Sequence, residues 1–182
     1  MGAQLTTLIP AYKPDYLAAL FAGLRSQVFR DFRVIVSDDS PDATITSMLR
    51  AGRFDPFIEG LDMLVVRGPQ SPLRNHQHLL DVWAHATPLV HLLMDDDVVY
   101  PRFYLEHVAL HARHSPAASV SLRWLTSSDG APMATLPLPE FVEAGDRHSL
   151  AVGAEQLFAS TVARCENWLG ELSNMVLSAS AA

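Results

Sequence analysis

Apolar residues along this chain fall in short continuous runs separated by stretches of helical period, and most runs end in Pro, Gly or Asp. Leu5 to Ile9 is the first run and predicts a strand closed by Pro10, which cannot donate to a ladder. After Ala11-Tyr12-Lys13, Pro14 can open a helix, and Tyr16, Leu17, Leu20, Phe21, Leu24 and Val28 follow at helical spacing. Phe32 to Ser37, rich in Val and Ile, predicts a second strand, and it runs straight into Asp38 and Asp39. Ser40-Pro41-Asp42 then turns the chain, a weaker helix covers Ala43 to Arg50, and Leu61 to Val66 predicts a third strand closed by Gly68-Pro69. A helix from about Leu73 to Ala86 gathers Leu79, Leu80, Trp83 and Ala86 on one stripe.

Leu89 to Met94 is apolar except for His91, the character of a strand buried on both faces, and it breaks into Asp95-Asp96-Asp97. Pro101 opens a helix to about His114 with Tyr104, Leu105, Val108 and Ala112 facing inward, and Ala118 to Leu125 predicts a fifth strand. Strand and helix alternating this far specify an α/β fold, a doubly wound and mainly parallel sheet, because parallel neighbours need crossover helices. From Thr126 the pattern weakens. Ser127-Ser128-Asp129-Gly130 reads as a turn, Pro132, Pro137 and Pro139 oppose a regular element, Gly153 to Cys165 is helical, and Leu172 to Leu177 predicts a last short strand.

Composition narrows the class. With 182 residues and 49% hydrophobic content the chain can bury a core as one domain over residues 1–182. A formal charge of -7 and a single lysine, Lys13, argue against a nucleic-acid surface. The lone Cys165 cannot close an internal disulfide and reads most simply as a buried small side chain. No apolar run approaches the roughly 18–20 residues of a membrane span, so the expected location is cytoplasmic, with peripheral membrane contact left open.

The chemistry sits in the acids. Two strands deliver carboxylates, Asp38-Asp39 and Asp95-Asp96-Asp97, to one C-terminal sheet edge, where open α/β sheets bind ligands. Adjacent like charges repel unless a cation or donor-rich ligand neutralises them; the plain alternative is a solvated acidic turn opening a helix. His107 and His111, four apart on a helix, could share a metal but read as packing or solvated residues. A phosphotransfer reading of these aspartates would need a lysine downstream of them, and Lys13 lies upstream.

Leu8-Ile9-Pro10-Ala11-Tyr12-Lys13, Tyr16-Leu17, Leu24-Arg25-Ser26-Gln27, Asp31 to Ser40, Arg74-Asn75 and Asp95 to Pro101, taken in that order, closely resemble family-two glycosyltransferases of the GT-A fold. The resemblance covers about the first two thirds of the chain. It implies a nucleotide-sugar donor, uridine- or thymidine-linked, and a glycan or lipid-linked acceptor. Residues 1–125 would then be the nucleotide-sugar-binding part and 126–182 a partial acceptor side. Mn2+ or Mg2+ would be held by Asp97, with Asp95, while Asp95 or Asp96 would contact the ribose or metal-bound water. Pro10, Ala11 and Tyr12 would line the donor site, with Tyr12 stacking on the base. Asp39 would accept the base's ring N–H, Asp38 would support that loop or reach the ribose, and Arg74 would meet the diphosphate. An inverting transferase also needs a carboxylate base. In the family it lies in the C-terminal half, and Glu171, Glu166 and Asp146 are the candidates for its place here. The alternative is a nucleotide-sugar-binding domain that lacks this base.

Overall fold

The strands that alternate with helices lie parallel and side by side, as crossover geometry requires. The computed structural model describes residues 2–127, 129–143 and 148–182. In it β1 (Leu5–Ala11) pairs with β2 (Phe32–Asp38) on one side and β4 (Leu89–Leu92) on the other, and β3 (Met63–Arg67) flanks β2, all in parallel. β5 (Ala118–Val120) and β8 (Met175–Ser178) complete a six-stranded sheet of order β3-β2-β1-β4-β8-β5. β8 lies antiparallel between β4 and β5, so the sheet is α/β and mainly parallel with one reversed strand.

Alternate side chains of the central strands feed two apolar layers, one on each face. Leu5, Ile9, Val34 and Val36 pack with α1 (Leu17–Arg25), α2 (Thr44–Arg50) and α5 (Phe103–His114) through Leu20, Phe21, Ile45 and Tyr104. Leu8, Ile35, Val90 and Leu92 meet Leu79 and Trp83 of α4 (Pro72–Trp83) on the other face. A short helix, α3 (Asp55–Ile58), precedes β3.

Several local expectations are corrected. Pro10 does not close the first strand but pairs with Ser37 inside β1. The Leu8 carbonyl accepts from Leu93 on the β4 side and the Ala11 carbonyl from Asp39 on the β2 side. Alternation therefore points the Pro10 nitrogen past the last β1–β4 pair, Leu8 with Leu92, where no donor is needed. Tyr16 is the α1 N-cap and Val28 lies beyond the helix, both exposed. On α4 the buried stripe is Asn75, Leu79 and Trp83; Ala86 falls past the helix end and is exposed. On α5 the buried face is Tyr104, His107 and His111; Val108 is half-buried and packs against the core as expected, whereas Leu105 is only half-buried and Ala112 is exposed. Cys165 is exposed.

The single strand expected over Ala118 to Leu125 is two: β5, and β6 (Trp124–Thr126), which pairs antiparallel with β7 (Pro132–Thr135) in a separate hairpin. Pro132 is tolerated as the first residue of its strand. α6 (Glu140–Glu143) and α7 (Ala154–Ser160) follow. The chain divides into two compact units, one running to Val120 and resuming over Leu172–Ala182, the other Ser121–Glu171.

Candidate functional site

Parallel registration brings both acidic clusters to one edge. Ala11 pairs with Asp38, and the Asp39 N–H donates to the Ala11 carbonyl at 2.8 Å. From the other side, Asp95 Oδ2 accepts the backbone N–H groups of Tyr12 at 2.7 Å and Lys13 at 2.8 Å. The two clusters thus flank the C-terminal end of β1, where Tyr12 follows directly after Ala11 and its ring is 53% exposed.

Asp38 is fully buried and satisfied within its loop. Its Oδ1 accepts from the Ser40 N–H at 3.0 Å and the Ser40 hydroxyl, and its Oδ2 from the Thr46 N–H at 2.8 Å and hydroxyl at 2.6 Å. Burial acts to raise its pKa, but these bonds outweigh it and hold the carboxyl below the usual aspartate value. Arg67, which sequence reasoning missed, closes the same loop: Nη1 donates to the Asp38 and Ser40 carbonyls, each at 2.7 Å. Asp38 therefore shapes the loop that presents Asp39.

Asp39 Oδ1 accepts from the Gln70 N–H, while Oδ2 makes no hydrogen bond among the described residues. A Cβ on Gly68 would stand 2.5 Å from Asp39 Oδ1, 2.9 Å from Ser37 Oγ and 3.1 Å from Asn75 Oδ1, so glycine is required for that approach. Ser37 donates to Asn75 Oδ1 at 2.5 Å, which seats the first turn of α4 beside β2. The neighbouring Arg74 is exposed and makes no hydrogen bond or ion pair among the described residues.

The acidic turn is anchored at both ends. Upstream, the Met94 N–H donates to Ser173 Oγ at 3.0 Å and the Met94 carbonyl accepts the Asp97 N–H at 3.2 Å. Downstream, Gln27, 2% exposed, donates to the Tyr100 carbonyl at 2.7 Å and accepts the Tyr104 N–H at 3.1 Å. Gly23 of α1 lets Val99 approach, since a Cβ there would meet the Val99 carbonyl at 3.0 Å. Between these anchors Asp95 and Asp97 are half-buried and Asp96 is exposed. Among the described residues no three His, Cys, Asp or Glu side chains gather into a cage for a metal. The turn does offer oxygen donors alone, the chemistry that suits Mg2+ or Mn2+ completed by phosphate oxygens and waters.

Beneath the turn lies a buried histidine network. His91 Nε2 donates to the Ser173 carbonyl at 2.9 Å, which leaves Nδ1 to accept the Tyr104 hydroxyl at 3.1 Å; that hydroxyl in turn accepts from Thr7 at 2.5 Å. His111 Nε2 donates to the Val176 carbonyl at 3.2 Å, and Ser119 joins His111 and His107 at 3.0 and 2.6 Å. Burial pushes His91 down to about 4. Burial first, then the charges of His91 and His111, pushes His107 down to about 3. These histidines pack the fold in neutral form.

Of the base candidates, Glu171 pairs with Arg123 at 2.9 Å, Glu166 stands 3.9 Å from Arg164, and Asp146 lies outside the described residues. Two shallow hollows lie elsewhere, one lined by Ala22, Arg25, Ser26, Pro56 and Phe57, the other by Asp55, Pro56, Ile58 and Glu59. Neither is lined by a residue of the acidic edge.

No protein-family model and no curated protein sequence matches the chain. Solved structures do. The structure of S. aureus TarS 1-349 superposes with a TM-score of 0.65 and 18% identity over 97% of this chain and 47% of that one. The fold is that of the GT-A glycosyltransferases. TarS 1-349 in complex with UDP-GlcNAc gives a TM-score of 0.50 and 23% identity over 63% of this chain and 33% of that one. The mannosyltransferase PcManGT from Pyrobaculum calidifontis, in complex with GDP-Man and Mn2+, gives 0.53 and 22% over 68% and 36%. The chain spans less than half the length of these GT-A structures. No helix among the described residues is long and apolar enough to cross a membrane.

Proposed function

We propose that the chain is a cytoplasmic, metal-dependent inverting glycosyltransferase that moves a sugar from a UDP- or dTDP-linked donor to a hydroxyl of a glycan or lipid-linked acceptor. One observation carries the reading: Asp39 is tied to Ala11 and Asp95 to Tyr12 and Lys13, so base-reading and phosphate-side groups share the end of one strand. Tyr12 offers an exposed ring to the base. Asp39 Oδ2, lacking an internal partner among the described residues, accepts the single ring N–H that uracil and thymine present and adenine lacks. Pro10 and Ala11 form the backbone wall of this subsite, and Arg74, exposed at the start of α4, meets the diphosphate.

Asp97 and its neighbours would hold Mn2+ or Mg2+, which when bound would act as a Lewis acid on the departing diphosphate. The UDP-GlcNAc and Mn2+-GDP-Man complexes of the fold neighbours support a nucleotide-sugar and divalent-ion site here. The acceptor hydroxyl attacks the anomeric carbon as the bond to the diphosphate breaks, and its proton passes to a carboxylate. Glu171, Glu166 and Asp146 remain the candidates for that base. The Arg123–Glu171 pair favours a second reading, because a carboxylate already engaged by a guanidinium is occupied within its own segment: a donor-binding domain that lacks the base and does not complete transfer.

Calorimetric titration with uridine, thymidine, guanosine and adenosine diphosphates, with and without Mn2+, tests the proposal. The expected result is Mn2+-dependent binding of uridine or thymidine diphosphate, weakened about tenfold or more by Asp97→Ala and by Tyr12→Ala. Affinity indifferent to chelator would overturn metal dependence. Tight donor binding without sugar transfer or donor hydrolysis would select the second reading.

A further inference from the structure

The three carboxylates of the acidic turn are not equivalent. Asp95 Oδ2 receives two short backbone hydrogen bonds, from Tyr12 at 2.7 Å and Lys13 at 2.8 Å. Both N–H dipoles point their positive ends at this oxygen, which strengthens the bonds and disfavours a cation on the same atom. The donors lie just where β1 runs out of strand partners: its pairing with β4 ends at Leu8 with Leu92, and its pairing with β2 ends at Ala11 with Asp38. Past that point the Asp95 carboxylate takes over from the ladder. Its own backbone is steadied by the Met94 bond to Ser173. Asp96 is exposed and Asp97 half-buried on the same turn.

We infer that Asp95 is a positioning residue, a clamp that fixes the Tyr12 platform to the acidic turn, and that metal ligation belongs to Asp97 and Asp96. This narrows the expectation that Asp95 binds metal. It rests on the proposed donor site, in which Tyr12 carries the base and the turn carries the phosphates. A clamp needs only an acceptor oxygen, whereas a hard divalent ion needs the charge. Asp95→Asn and Asp95→Ala therefore separate the two roles.

The first readout needs no ligand. Amide hydrogen exchange at Tyr12 and Lys13 should be slow in the wild type, faster by about tenfold or more in Asp95→Ala, and largely restored to wild type in Asp95→Asn. The second is calorimetry with uridine diphosphate. Without metal, Asp95→Ala should lose about tenfold in affinity and Asp95→Asn no more than about threefold; with Mn2+, Asp95→Asn should keep the metal-dependent gain that Asp97→Ala loses. The clamp is overturned if Tyr12 and Lys13 exchange at wild-type rates in Asp95→Ala, or if Asp95→Asn forfeits the Mn2+ gain as Asp97→Ala does. Should the wild type bind no nucleotide, the donor-site proposal falls, and the exchange rates still decide whether Asp95 holds the loop.

Discussion

The sheet unit and the Ser121–Glu171 unit achieve order by different means. The first buries Leu5, Leu8, Phe21 and Trp83 almost completely between a sheet and helices on each face. No described residue of the second belongs to either apolar cluster. Several of its large apolar side chains face outward, with Leu122 71%, Met133 72%, Phe158 58% and Val162 65% exposed. Burial requires two layers to close on each other, and a two-stranded hairpin with helices of one or two turns offers too little face. What holds the second unit is local: Trp168 Nε1 donates to Ser160 Oγ at 3.1 Å, the Trp168 ring sits 5.9 Å edge-on to Phe141, and Asn167 closes a turn with Gly170. Asp39 and Asp95, the groups of the proposed donor site, sit on the unit with the core.

Three measurements press on that contrast. Trp83→Ala should remove about 3–5 kcal/mol of unfolding free energy in urea, since it empties a fully packed site on the α4 face; a loss below about 1 kcal/mol would mean that the core there is loose. The next effect comes from acid. His91, held down to about 4, and His107, held down to about 3, stay neutral in the fold, while the unfolded chain takes up protons below about 6.5. Stability is thus complete above pH 6.5 and declines as pH falls toward 4, by up to about 1.4 kcal/mol per pH unit per histidine. Urea midpoints at pH 7 and pH 5 should differ accordingly, and His91→Phe should flatten the slope. Smallest is Met133→Ser on the exposed hairpin, expected within about 0.5 kcal/mol of wild type; a large loss would show that this face is covered.

How much could be read in advance follows the same divide. β1, β2 and β4 announced themselves because strands buried on both faces are mostly apolar, with carboxylates marking the ends of β2 and β4, while the half-buried edge strand β3 was legible as an apolar run closed by Gly68-Pro69. β8 was legible as a last short strand but its place was not: nothing in Met175–Ser178 says that it will slot antiparallel between β4 and β5, since pairing across an intervening unit is a tertiary choice. The buried face of α5 was legible only by spacing. Tyr104, His107 and His111 lie at the i, i+3, i+7 positions of one helical face, yet apolarity favoured Leu105 and Val108. Histidine goes inside here because Ser119 and the Val176 carbonyl satisfy its nitrogens. Arg67 and Gln70 were missed at the site for a related reason: they act on backbone carbonyls and through a backbone N–H, and such contacts leave no motif.

The reversed strand carries one more implication. Val120 faces Met175 across the β5–β8 ladder, so the chain departs from the sheet and rejoins it at adjacent points. Topologically the pair is a hairpin whose tip has been expanded into Ser121–Glu171. Such a tip is a cassette: it can be lengthened, shortened or exchanged while the two strand ends stay stitched together and the edge bearing Asp39 and Asp95 keeps its frame.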